Sequence, residues 1–126
     1  MKKTKEPCIL AVDDEERRRV FLSGYLWRKG FKVILASSQF EARNILSKGG
    51  IDAVISDNNM ETHDAGIELC AWMRAGSEVL QKIPFILHTA DDTARTKQMI
   101  ESMGGTLCPK DDSLALYDAV EALLQK

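Results

Sequence analysis

Short apolar runs and amphipathic stretches take turns along this chain at nearly even intervals. Ile9–Val12 reads as a buried strand stopped by four acids, and Phe31–Ala36, Ala53–Ser56, Pro84–His88 and Leu107–Pro109 repeat the strand pattern. Between them the apolar spacing changes to that of helices. The first runs from Glu15 to Lys29, with Phe21, Leu22, Tyr25 and Leu26 on one face and Gly30 as its stop. The second is capped by Ser37 or Ser38, carries Phe40, Ala42, Ile45 and Leu46, and ends before Gly49-Gly50. A polar loop, Asp57–Ala65, leads into a helix over Gly66–Ala75 with Ile67, Leu69, Cys70 and Met73 inward. A weaker helix opens at Asp92 or Thr93 and runs to Met103; the last spans Ser113–Gln125 with Leu116, Val120 and Leu123 inward.

Strand and helix thus alternate five times. Strands this apolar are expected to be covered on both faces, which requires a parallel sheet between two helical layers. Right-handed crossovers make it α/β, a doubly wound five-stranded flavodoxin-like (βα)5 sheet with strand order 2-1-3-4-5. The 126 residues fit one domain, 1–126, with a flexible basic start over 1–6. Lys and Arg total 17 against 19 Asp and Glu, so no general pull toward nucleic acid or an anionic membrane is expected. A spanning helix needs about 18–20 consecutive apolar residues, and none is present. Cys8, Cys70 and Cys108 each sit in an apolar segment, which suits buried free thiols in a reducing cytoplasm.

In such sheets the working residues lie beyond the carboxyl ends of the strands, near the switch between the first and third. Asp13-Asp14 follow the first strand, Asp57 the third, Thr89 the fourth and Lys110 the fifth. If the first and third strands are neighbours, three carboxylates converge on one rim. They require a proton or a cation between them, and hard oxygens open to water favour Mg²⁺. With a lysine and a hydroxyl opposite, the rim becomes a pocket for a tetrahedral dianion attached to a carboxylate.

The set Asp13-Asp14, Asp57, Thr89 and Lys110, in register with five βα units, resembles the receiver domain of two-component response regulators. The resemblance implies Asp57 as the phosphoacceptor. It implies Asp14 as a direct Mg²⁺ ligand, Asp13 as a ligand through water, and the Asn59 main-chain carbonyl completing the set with Asp57. Lys110 would pair with the phosphoryl oxygens and Thr89 would report their arrival. Such a domain takes its phosphoryl group from a sensor histidine kinase or a histidine phosphotransfer protein and signals to an output domain or downstream protein, in some cases as a homodimer. It catalyses only its own phosphorylation and dephosphorylation.

Three positions depart from the family pattern. Glu61 follows Met60 where a proline is usual, and the later Asp-Gly pair is split as Asp64-Ala65-Gly66; Glu61 and His63 would place ionisable groups near the site, with His63 itself read as an exposed loop residue rather than a ligand. Leu107 occupies the place of an aromatic switch residue, which puts the usual threonine–aromatic read-out in question. Pro109 precedes Lys110, whereas a proline normally follows. Leu107 and the altered loop after Asp57 favour an alternative: a degenerate receiver acting as a phosphorylation-independent interaction module. A haloacid-dehalogenase-like phosphatase would need a second aspartate where Asn59 stands, and a flavin carrier would not place four acids after the first strand. An EF-hand fails at Thr62, where glycine is required. His88 is expected to turn away from Thr89 into packing, because neighbours on a strand face opposite sides. Val20, Gly24 and Trp27 form a second stripe on the first helix, either a wide buried face or, with Trp27, an exposed anchor beside the active rim.

Overall fold

Five parallel strands hydrogen-bond in the order β2-β1-β3-β4-β5, in a computed structural model that describes residues 6–125. The elements are β1 (Cys8–Val12), α1 (Glu16–Arg28), β2 (Lys32–Ala36), α2 (Gln39–Ser47), β3 (Ala53–Ser56), α3 (Ala65–Arg74), α4 (Glu78–Lys82), β4 (Phe85–Thr89), α5 (Ala94–Ser102), β5 (Thr106–Pro109) and α6 (Ser113–Leu124). The expected topology and every expected strand are present. The flexible start expected over 1–6 lies, apart from Glu6, outside the described residues.

Period-two alternation along β1 divides the core into two layers. Cys8, Leu10 and Val12 face α2, α3 and α5, packing with Ala42, Leu46, Leu69, Met73 and Ile100. Ile9 and Ala11 face α1 and α6, packing with Leu22, Leu26, Leu116 and Val120. Fully burying each such aliphatic side chain contributes about 1.5–3 kcal/mol, so the central strands β1, β3 and β4, buried throughout, anchor the sheet. All three cysteines are buried and free, and burial pushes the Cys108 thiol up to about 11. No helix among the described residues is long and apolar enough to cross a membrane.

Caps fall where the sequence puts them. Ser38 accepts the Glu41 N–H and Thr93 the Thr96 N–H, while Gly30 turns the chain out of α1 with φ of 97°. Coverage of the edges does not follow the expectation. β2 is an edge strand with Ile34 and Leu35 partly open to solvent, because only one neighbour and the flank of α1 shield it. Phe40, expected inward on α2, is 59% exposed, and Phe21 lies at the rim of α1, stacked on Tyr25.

The short helix α4 was not foreseen. It is capped by Ser77 and held by Arg74, whose guanidinium donates to the carbonyls of Met103, Leu80, Gln81 and Ile83 at 2.8–3.3 Å. One charged group therefore ties α3, α4 with the residue that closes it, and the end of α5 together. Arg74→Ala is expected to lower stability by about 2 kcal/mol, because it leaves these carbonyls without a charged donor. A urea midpoint within error of wild type would contradict this.

Candidate functional site

The site assembles where β1 and β3 end side by side. The Asp57 N–H donates to the Val12 carbonyl at 2.8 Å, and the Asp13 N–H to the Ala36 carbonyl at 3.0 Å. These ladder bonds bring two strand-end aspartates to one point. One carboxylate oxygen from each of Asp13, Asp14 and Asp57 lies within 4.8 Å of the others; Asp13 and Asp57 are buried and Asp14 is exposed. Lys110 closes the cluster, with its ammonium 3.0 Å from Asp57 Oδ2 and 3.2 Å from Asp13 Oδ2. The Lys110 N–H is itself held at 2.9 Å by the Thr89 carbonyl, so Pro109 preceding the lysine does not keep it from the acids.

Each group carries the electrostatic mark of this crowding. Burial pushes the Asp13 carboxyl above the usual carboxylate range, against the opposing Glu15 N–H and Lys110 charge. Burial works to lower Lys110, but its hydrogen bond to Asp57 and the charges of Asp57 and Asp13 outweigh it and hold the ammonium above its usual value. One ammonium among three carboxylates leaves two negative charges uncompensated. The donor set is hard oxygen, and its span is close to the ~4.2 Å that separates opposite oxygens around a Mg²⁺ with ~2.1 Å bonds. The residues present fit a divalent cation.

Thr89 is buried at the end of β4, where its hydroxyl accepts the Asp91 N–H at 3.1 Å. Asn59, expected to offer its main-chain carbonyl, uses its side-chain oxygen to accept the Asp64 N–H at 2.9 Å. His88 is 3% exposed and shares the α1–α6 layer with Ile86, facing away from Thr89 as expected. Two expectations, on Glu61 and Trp27, are corrected. Glu61 turns from the site to the N-terminus of α2, accepting the Gln39 N–H at 2.9 and 3.1 Å. His63 lies 74% open to solvent beside Asp64, as expected of a loop residue. Trp27 is exposed at 74%, but in the last turn of α1, about 16 Å along the helix from the acids that precede it.

Two residues prove essential to the geometry: Asn58, assigned no role from sequence, and Gly66, noted there only as the end of a split Asp-Gly pair. Asn58 is fully buried: its N–H donates to Asp57 Oδ1 at 2.7 Å, its side-chain Oδ1 accepts the Ile67 N–H at 3.0 Å, and its Nδ2 donates to Asp64 Oδ1 at 2.9 Å. Gly66 packs so closely on this turn that a Cβ would sit 2.2 Å from the Asp57 carbonyl oxygen. The only sequence signal for Asn58 was its place next to the strand-end Asp57.

The sequence profile of the response regulator receiver domain matches residues 9–108. The chain belongs to that family. Transcriptional regulatory protein GlrR of Escherichia coli strain K12 is 32% identical to this receiver over 127 residues, covering 97% of this chain and 27% of GlrR. Among solved structures, Vibrio cholerae chemotaxis protein CheY4 gives a TM-score of 0.83 at 25% identity, covering 94% of this chain and 99% of that one. Response regulator protein TrrA from Thermotoga maritima, solved in complex with Mg²⁺–BeF, gives 0.78 at 25% identity, covering 93% and 98%. The receiver spans about half or less of the length of the curated relatives it matches.

Proposed function

We propose that Asp57 of this receiver accepts a phosphoryl group from the phosphohistidine of a sensor histidine kinase or histidine phosphotransfer protein, and that the loaded domain changes its partner binding. The observation that carries this reading is one lysine ammonium lying 3.0 Å from Asp57 and 3.2 Å from Asp13 at the edge of a three-carboxylate cluster. In a parallel sheet, a carboxylate so placed is a nucleophile with charge stabilisers already around it.

The transfer is an in-line displacement. An Asp57 oxygen attacks phosphorus and forms the O–P bond, while the P–N bond breaks and its electron pair passes to the imidazole nitrogen. Lys110 supplies a fixed positive charge to the phosphoryl oxygens, and the Asn58 N–H orients the attacking carboxylate. The buried Thr89 hydroxyl stands at the end of β4 to donate to the new group. Mg²⁺, held by Asp13, Asp14, Asp57 and the Asn59 carbonyl, would neutralise charge on the carboxylates and phosphoryl oxygens during transfer. That the similar TrrA was solved in complex with Mg²⁺–BeF supports a divalent cation in this site. Water later hydrolyses the acyl phosphate, so the domain acts as a catalyst only on itself. The buried free thiols suit a reducing cytoplasm.

Incubation with acetyl phosphate and Mg²⁺ should yield a single phosphoryl adduct by intact mass. Asp57→Asn, or removal of the metal with a chelator, should abolish it. A second reading is favoured by Leu107, which is only partly buried and has no hydroxyl to expose or bury: constitutive binding independent of phosphate. If the wild type shows neither an adduct nor a response to beryllofluoride, the constitutive reading replaces the first.

A further inference from the structure

The contacts that begin at Asp57 continue beyond the acid cluster to α5. Asp64 is the only non-glycine among the described residues with a positive φ, 64°, and it stands where the loop enters α3. Aspartate visits this region because its short side chain bonds locally, but the conformation persists only where its surroundings enforce it. Three bonds do so here. The Asp64 N–H donates to Asn59 Oδ1, Asp64 Oδ1 accepts from Asn58 Nδ2, and Asp64 Oδ2 accepts from Arg95 Nη2, each at 2.9 Å. Arg95 lies in the first turn of α5, and its hydrogen bond is the main influence holding the Asp64 carboxyl below the usual carboxylate range.

We propose that Asn58 and Asp64 are positioning residues that link the Asp57 carboxylate to Arg95, so that α5 senses the phosphoryl state of Asp57 through this pair. The inference rests on the phosphoacceptor reading above. The Asn58 N–H is committed at 2.7 Å to an ionised oxygen of Asp57. Conversion to an acyl phosphate removes the carboxylate charge and with it the charge assistance, which accounts for roughly half the strength of such a bond. Asn58 cannot respond alone. Its side chain is wholly buried and bonded at both ends, and its carbonyl accepts the Gly66 N–H at 2.8 Å. A shift of the 57–58 peptide therefore bears directly on Asp64, the strained hinge, and from there on the Arg95 ion pair. Leu107 offers no hydroxyl for a threonine–aromatic route, whereas this path uses only groups already hydrogen-bonded.

The test measures hydrogen exchange of the α5 amides with and without Mg²⁺ and beryllofluoride, alongside adduct formation from acetyl phosphate. In the wild type, α5 protection should change about fivefold or more. Arg95 is 57% exposed and touches Asp64 rather than Asp57, so Arg95→Gln should form the adduct within about twofold of the wild-type rate while its α5 change falls below about twofold. Asp64→Asn retains a residue tolerant of positive φ and should lose the α5 change likewise, and Arg95→Lys should restore part of it. An adduct in the wild type with no α5 change overturns the inference, as does a wild-type response in both Arg95→Gln and Asp64→Asn. No adduct at all in the wild type overturns the phosphoacceptor reading together with it.

Discussion

Gly66→Ala is expected to destabilise the receiver by about 3 kcal/mol and to slow phosphoryl acceptance on the order of a hundredfold. A Cβ at this position would meet the Asp57 carbonyl oxygen at 2.2 Å, Leu87 Cδ1 at 2.7 Å and Asn58 Cα at 2.9 Å. Leu87 can yield by changing rotamer. The two backbone atoms cannot, and an ordinary contact requires them to move by about 1 Å. That displacement falls on the peptide that carries the acceptor and on the buried Asn58, whose side chain is already bonded to Asp64 and to the Ile67 N–H. Alanine's better helix propensity returns only about 1 kcal/mol. Gly24, with nothing within 4 Å of its position in α1, is the internal control: Gly24→Ala should raise stability by about 0.5–1 kcal/mol and leave adduct formation unchanged. A Gly66→Ala urea midpoint equal to wild type would show that the loop after β3 has room the structure denies it.

The contrast between these glycines shows what a sequence can and cannot display. Five strands, the topology and the convergence of Asp13, Asp14, Asp57 and Lys110 were legible, because local periodicity and the handedness of crossovers determine them. Gly24 interrupts a helical pattern without structural reason and Gly66 is indispensable, yet the sequence marked Gly66 only as a displaced member of an Asp-Gly pair and gave no sign of how closely it packs. The same limit applies to Glu61. Its charge was visible, but its direction depends on α2 starting beside the β3–α3 loop, a consequence of packing. Nothing in the sequence showed that tertiary structure would bury Asn58 and give Asp64 a positive φ. Phe40 and Ile34 kept the right period but lay at an edge, where no second layer covers them. α4, at Glu78–Lys82, is too short to show a helical period and depends on the Arg74 clamp.

A pH-dependent loss of stability is expected from His88. It is buried on β4 with Nδ1 lacking any hydrogen-bond partner, and its pKa is lowered to about 4 from the ordinary 6.5. Burial is the main cause; Arg18 of α1 and Lys110 beyond β5 add to it, and Asp57 beyond β3 opposes it. The unfolded chain therefore binds a proton between pH 6.5 and 4 that the native state does not. Stability from this residue is fully present above pH 6.5 and lost as pH falls toward 4, a total of about 3 kcal/mol at about 1.4 kcal/mol per pH unit. Carboxylates titrate in part of the same window, so the measurement is a difference. Urea stability at several pH values should fall more steeply for wild type than for His88→Leu, by up to one proton's slope. At pH 7 the substitution should be close to neutral, because it removes an unsatisfied buried nitrogen while filling similar volume. Parallel pH profiles for the two proteins would mean that His88 finds a partner on protonation, and Asp57, the one negative charge acting on it, would be the first to examine.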